Sequence, residues 1–123
     1  MRTLALLFIL LNSASGFGQT AEFFVDHPVH KFPKTREGIL LMHTYEIVNK
    51  GTEPLVIYSY DVECSCTEIT LPEPIQPGES GMLTLTFDTK GKYYRQDRKI
   101  VLQTNAKKKT QTLRFKVFVI PKE

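Results

Sequence analysis

The chain holds two reactive sulfurs, nearly adjacent, in Cys64-Ser65-Cys66. A thiol can attack as a thiolate, cycle with a disulfide or ligate a soft metal. Residues i and i+2 of a strand share a face, and two strand steps span about 6.6 Å, close to the upper limit of roughly 6.8 Å between Cα atoms of a disulfide. A bond between Cys64 and Cys66 therefore requires a kink. Closing a three-residue loop would contribute only about 1.6 kcal/mol, so the bond would be a weak staple and comparatively easy to reduce. Four readings stay open: a half-buried pair with no catalytic role, a labile redox or sensing dithiol, thiolate ligands for a soft metal, and an intermolecular disulfide. The acids Glu63 and Glu68 flank the pair and disfavour the thiolate. Two cysteines alone fall short of the usual four-ligand zinc set. His43 would be a third ligand if its strand ran beside them, whereas His27 and His30 lie in an irregular segment and are expected to be exposed. No Ser-His-Asp order, Gly-rich phosphate loop or supported carboxylate pair occurs. We expect no enzyme, no catalytic residue, no cofactor and no metal, with Cys64 and Cys66 as the one possible disulfide or redox pair.

The elements that must position this pair read as strands. Ala21 to Thr35 is extended but interrupted by Pro28 and Pro33, and reads as a broken edge strand. Ile39 to Asn49 alternates, with Leu41, His43, Tyr45 and Ile47 on one face. Asn49-Lys50-Gly51 opens a tight turn in which Gly51 supplies a positive φ and Asn49 caps its own backbone. Leu55 to Val62 is a strand whose apolar parity switches, which requires a bulge near Tyr58-Ser59. Thr67 to Leu71, Met82 to Asp88, Lys99 to Thr104 and Thr110 to Ile120 complete the set, with Thr89 to Arg98 as a polar connection. The Lys99–Ile120 hairpin is expected to offer an open edge. Tyr58, Tyr93 and Tyr94 are candidates for an exposed aromatic patch or for the rim of the core. Lys107-Lys108-Lys109 reads as a solvated turn. About seven amphipathic strands, with turns every 8 to 12 residues or so, predict an all-β antiparallel β-sandwich.

Residues 1–18 read as an export signal, with a basic start at Arg2, an apolar run from Leu4 to Leu11 and small residues from Ser13 to Gly18. The run is too short to span a bilayer, which needs roughly 20 apolar residues. The domain would then occupy residues 19–123. Losing Arg2 takes Lys+Arg from 16 to 15 against 13 acids, a balance too even to indicate nucleic acid. No later segment is apolar enough for membrane insertion.

Several short motifs recur in one order: His43-Thr44-Tyr45, Asn49, Gly51, Pro54-Leu55-Val56-Ile57, Cys64-Ser65-Cys66-Thr67, Pro74-Ile75-Gln76-Pro77-Gly78, Phe87-Asp88-Thr89-Lys90-Gly91 and Thr104-Asn105. This order resembles the DUF1573 family, a family of unknown function. The family usually has glycine where Ser65 stands and Phe-Gly where Phe32-Pro33 stands. The resemblance implies an exported bacterial protein with an immunoglobulin-like β-sandwich, periplasmic or secreted, akin to ASH and pilus-chaperone-like domains. It implies no agreed activity. We expect protein recognition or scaffolding with an unknown partner in the cell envelope; the alternative is a redox-active or soft-metal-binding protein using Cys64 and Cys66.

Overall fold

The computed structural model describes residues 19–123, and the expected leader lies outside them. Nine strands follow in order: β1 (Phe23–Phe24), β2 (Val29–Lys31), β3 (Thr35–Arg36), β4 (Leu40–Asn49), β5 (Ile57–Val62), β6 (Thr67–Thr70), β7 (Ser80–Asp88), β8 (Tyr94–Thr104) and β9 (Thr110–Ile120). They form a four-stranded sheet, β1-β4-β7-β6, and a five-stranded sheet, β2-β9-β8-β5, with β3 also on β9. Period-two alternation gives each sheet one apolar face, and the two faces bury each other. Leu83, Leu85 and Phe87 of β7 and Ile100, Leu102, Leu113, Phe115 and Val119 of β8 and β9 are fully buried. Each such side chain stabilises the fold by about 1.5–3 kcal/mol.

The first segment is broken, as its prolines require, and it divides between the two layers. β1 runs antiparallel to the end of β4, Phe23 opposite Asn49. After Pro28 the chain joins the other sheet, and β2 and β3 lie parallel to β9. Pro28, which has no N–H to give, contributes its carbonyl, which accepts from Arg114 N–H at 2.9 Å. The expected bulge is present: the register of β5 on β8 shifts between Ile57 and Ser59.

Two expectations about the strands fail, and so does one of the two readings of the tyrosines. The stretch Tyr94 to Arg98 is strand, not connection: β8 starts at Tyr94, and Tyr94 to Arg98 face Val119 to Phe115 on β9. The alternation hid this because polar residues occupy inward positions. Gln96 is buried, and Arg98 sits 6.0 Å from the Phe87 ring centre while donating to Gln96 Oε1 at 2.7 Å. The Lys99–Ile120 hairpin is not an open edge. β9 is flanked by β2 and β3 and β8 by β5, so the terminal strands on that side are β5 and β6. The tyrosines form no single patch. All three are exposed, but Tyr58 lies near the Thr104 end of β8 while Tyr93 and Tyr94 lie at its start.

Candidate functional site

The motif residues gather at opposite ends of the sandwich. One end is organised by Asn49, the last residue of β4, which is fully buried. Its Oδ1 accepts from Gly51 N–H at 2.9 Å and Glu22 N–H at 3.2 Å. Its Nδ2 donates to Glu53 O at 2.7 Å and Ile75 O at 2.9 Å. Its backbone N–H reaches Glu79 O at 3.0 Å, and its carbonyl accepts from Gly78 N–H at 2.8 Å. One side chain thus satisfies backbone groups from three separate segments, which sequence reading reduced to a local cap. Gly78 supplies the geometry: at φ +79° it is the third residue of a Pro77-Gly78 turn closed by Glu79 N–H to Gln76 O at 3.0 Å. Gly51 is needed for space and not, as expected, for a positive φ. A Cβ there would run into the Thr20 carbonyl oxygen and the backbone of Ala21 and Glu22. Asn105 repeats the device on the other sheet, accepting from Val56 N–H at 2.8 Å and donating to Pro54 O at 2.9 Å.

The cysteines mark the other end. They do not lie on a strand. Residues 63–66 form the bend by which the chain leaves β5 in one sheet for β6 in the other. Cys64 O accepts from Thr67 N–H at 3.1 Å, and this turn brings the Cα atoms to 5.2 Å, within disulfide range. Cys64 and Cys66 are joined to each other. Both are half-buried, and Cys66 packs against the core. The turn is also fixed without the bond: Cys66 O accepts from Asp88 N–H at 3.0 Å, and Glu63 Oε1 accepts from Lys99 N–H at 2.7 Å. The nearby Asp88-Thr89-Lys90-Gly91 motif is a turn of its own, in which Thr89 Oγ1 donates to Ile39 O at 2.6 Å and Asp88 Oδ1 accepts from Lys90 N–H at 3.0 Å.

His43 is not the third ligand. It faces Leu85 on β7, and β7 separates β4 from β6, so it lies roughly 10 Å across the sheet from the strand that follows the cysteines. Among the described residues, no group of three His, Cys, Asp or Glu is placed to hold a metal ion. His43 instead stacks on His30, ring centres 3.5 Å apart and planes 10° from parallel. His27 is exposed as expected; His30 is not, because β2 carries it between the sheets beside Phe32. Partial burial holds both imidazoles below their usual pKa, and at His43 the charge of His30 lowers it further. The neighbouring Tyr45, fully buried, donates its hydroxyl across the core to Arg114 O at 2.8 Å, and burial pushes its pKa up.

The DUF1573 model, described as a protein of unknown function, matches residues 23–119, from β1 to the end of β9. The chain belongs to the DUF1573 family. No curated protein matches it. Among solved structures, it is similar to a protein of unknown function from Porphyromonas gingivalis W83, with 18% identity and a TM-score of 0.72 over 82% of this chain and 48% of that one. The chain therefore spans about half the length of that protein. It is similar to the ASH/PapD-like domain 7 of human CEP192, with 14% identity and a TM-score of 0.58 over 85% of this chain and 87% of that one. It is also similar to WR4, a Caenorhabditis elegans MSP family member, with 15% identity and a TM-score of 0.55 over 79% of this chain and 96% of that one. At these identities the likeness establishes an immunoglobulin-like β-sandwich fold.

Proposed function

We propose that this DUF1573 domain is an exported, non-catalytic module that recognises or scaffolds a protein partner in the cell envelope. The observation that carries the reading is where the motif residues are spent. Asn49, Gly51, Asn105, Asp88 and Thr89 hold turns together. Each sheet has two terminal strands, and β5 and β6 end their sheets on one flank, on either side of the cysteine turn. A terminal strand offers backbone donors and acceptors to an incoming strand, and Tyr60, 39% exposed, and Tyr58 give β5 aromatic contact area. Export is supported by the signal-like residues 1–18 and by paired cysteines, which suit an oxidising compartment.

A photo-crosslinking amino acid at Tyr60, tested in the native envelope against the same probe at Met42 on the opposite sheet, decides the matter. A discrete adduct from Tyr60 alone is expected; adducts from Met42 alone, or from neither, would remove this flank as the binding surface.

A second reading, a redox role for Cys64 and Cys66, is favoured by one observation: the pair is half-exposed within a turn that is also held by Asp88 N–H to Cys66 O and Lys99 N–H to Glu63 Oε1. A reduction potential well below about −300 mV would mark the pair as inert.

A further inference from the structure

The outer faces of the two sheets differ in charge. On the four-stranded sheet the solvent side carries threonines, methionines and the acids Glu46 and Glu68. On the five-stranded sheet, cations cluster where β2, β9 and β8 meet. Lys31 lies opposite Lys116, and Lys99 opposite Arg114. Like charges set directly opposite each other on a sheet oppose folding, and Asp97 offsets part of that cost here. The acid within the cluster, Asp97, is already engaged: its Oδ1 accepts from Arg114 Nη1 at 2.7 Å, and its Oδ2 lies 3.9 Å from Lys116 Nζ. A surface cleft of about 250 Å³ opens here, walled by Lys31, Arg95 and Lys116 and bounded by Phe118. Phe118 is 42% exposed, with Lys34 Nζ 5.5 Å from its ring centre.

We propose that this cleft binds an acidic glycan, a chain of carboxylated sugars. The walls decide the class. Lysine and arginine donate hydrogen bonds and accept none, so the side chains that wall the cleft call for a ligand rich in acceptors. A peptide would also bring N–H donors, for which the cleft's side chains offer the engaged Asp97 carboxylate and the buried Gln96. A uronate chain presents mainly acceptors, and the apolar face of its ring matches Phe118. The cluster covers three strands and, from Arg95 to Lys99, four residue steps along them, roughly 10 Å by 13 Å, which suits two or three sugar rings and is short for tracking a nucleic-acid backbone. This surface is separate from the β5–β6 flank, so either proposal stands or falls without the other.

The test is calorimetric titration with polygalacturonate, at 50 and 200 mM salt, alongside dextran, poly-L-glutamate and single-stranded DNA. Polygalacturonate should bind more weakly at the higher salt, and dextran should not bind. The exposed changes Lys31→Gln and Arg95→Gln should each weaken binding about three-fold, as loss of one surface charge contact does. Asp97→Asn should act in the opposite direction, tightening binding by releasing Arg114 and Lys116. Lys107→Gln, on the distant β8–β9 turn, should change nothing. No binding at 50 mM salt, indifference to Lys31 and Arg95, weaker binding by Asp97→Asn, or equal or tighter binding of poly-L-glutamate or DNA would each overturn the proposal.

Discussion

Each end of this sandwich must hold chain segments that pass from one sheet to the other, and the two ends do so differently. At the Asn49 end, a buried amide joins three segments that are distant in sequence, through hydrogen bonds to Glu22, Gly51, Glu53 and Ile75. At the cysteine end, a covalent link spans only two positions, and backbone bonds from Asp88 and Lys99 already hold the turn. The strength of a single link is a poor guide to its structural weight. A hydrogen-bonding side chain that gathers remote backbone outweighs a covalent bond that closes almost no loop, because what counts is the disorder removed and the polar groups left unpaired.

Removing each device measures the difference. Asn49→Ala strands two N–H and two C=O groups in a buried setting and should destabilise the domain by about 4 kcal/mol in urea denaturation, with an unchanged m-value. Reduction of the disulfide, or Cys64→Ser with Cys66→Ser, should cost at most about 1.6 kcal/mol by the same measurement. A larger loss on reduction than on Asn49→Ala would invert the comparison. Between the two ends, Tyr45→Phe removes the hydroxyl that donates to Arg114 O and should cost about 1 kcal/mol.

The smallest effect is one of pH. His30 and His43 both bind protons less readily when folded than at their ordinary value of 6.5, so the unfolded chain takes up protons first as pH falls. Their contribution is whole above pH 6.5 and is lost as pH falls through the lowered folded values. Thermal midpoints between pH 7.5 and 5 should decline on the acid side, and His30→Gln should flatten that decline. A midpoint that rises on acidification would contradict the stacked, neutral pair.

Strand positions were legible in the sequence because alternation reports burial directly. The inward residues of β4, β7 and β9 are those the period picks out, and the parity switch in Leu55 to Val62 located the bulge. Legibility failed where a polar group faces inward, as at Gln96 and Arg98, since a partner such as the Phe87 ring cannot be read from neighbours in sequence. It failed also where a residue serves a remote contact. Gly51 is small because Thr20 passes over it, and His30 is covered because His43 lies across the layer. The sequence drew attention to the cysteines, but their placement in a turn came from the Cys64–Thr67 hydrogen bond, which strand periodicity does not encode.

The reach of Asn49 also bears on the order of events during folding. Its bonds to Gly51 and Glu53 are local, but its partners run from Glu22 to Glu79, so the remote ones return nothing until more than half of the described chain has been brought together. We predict that these remote contacts form late in folding and act as a latch on the finished molecule. Loss of the latch should leave the speed of folding nearly unchanged and shorten the lifetime of the native state.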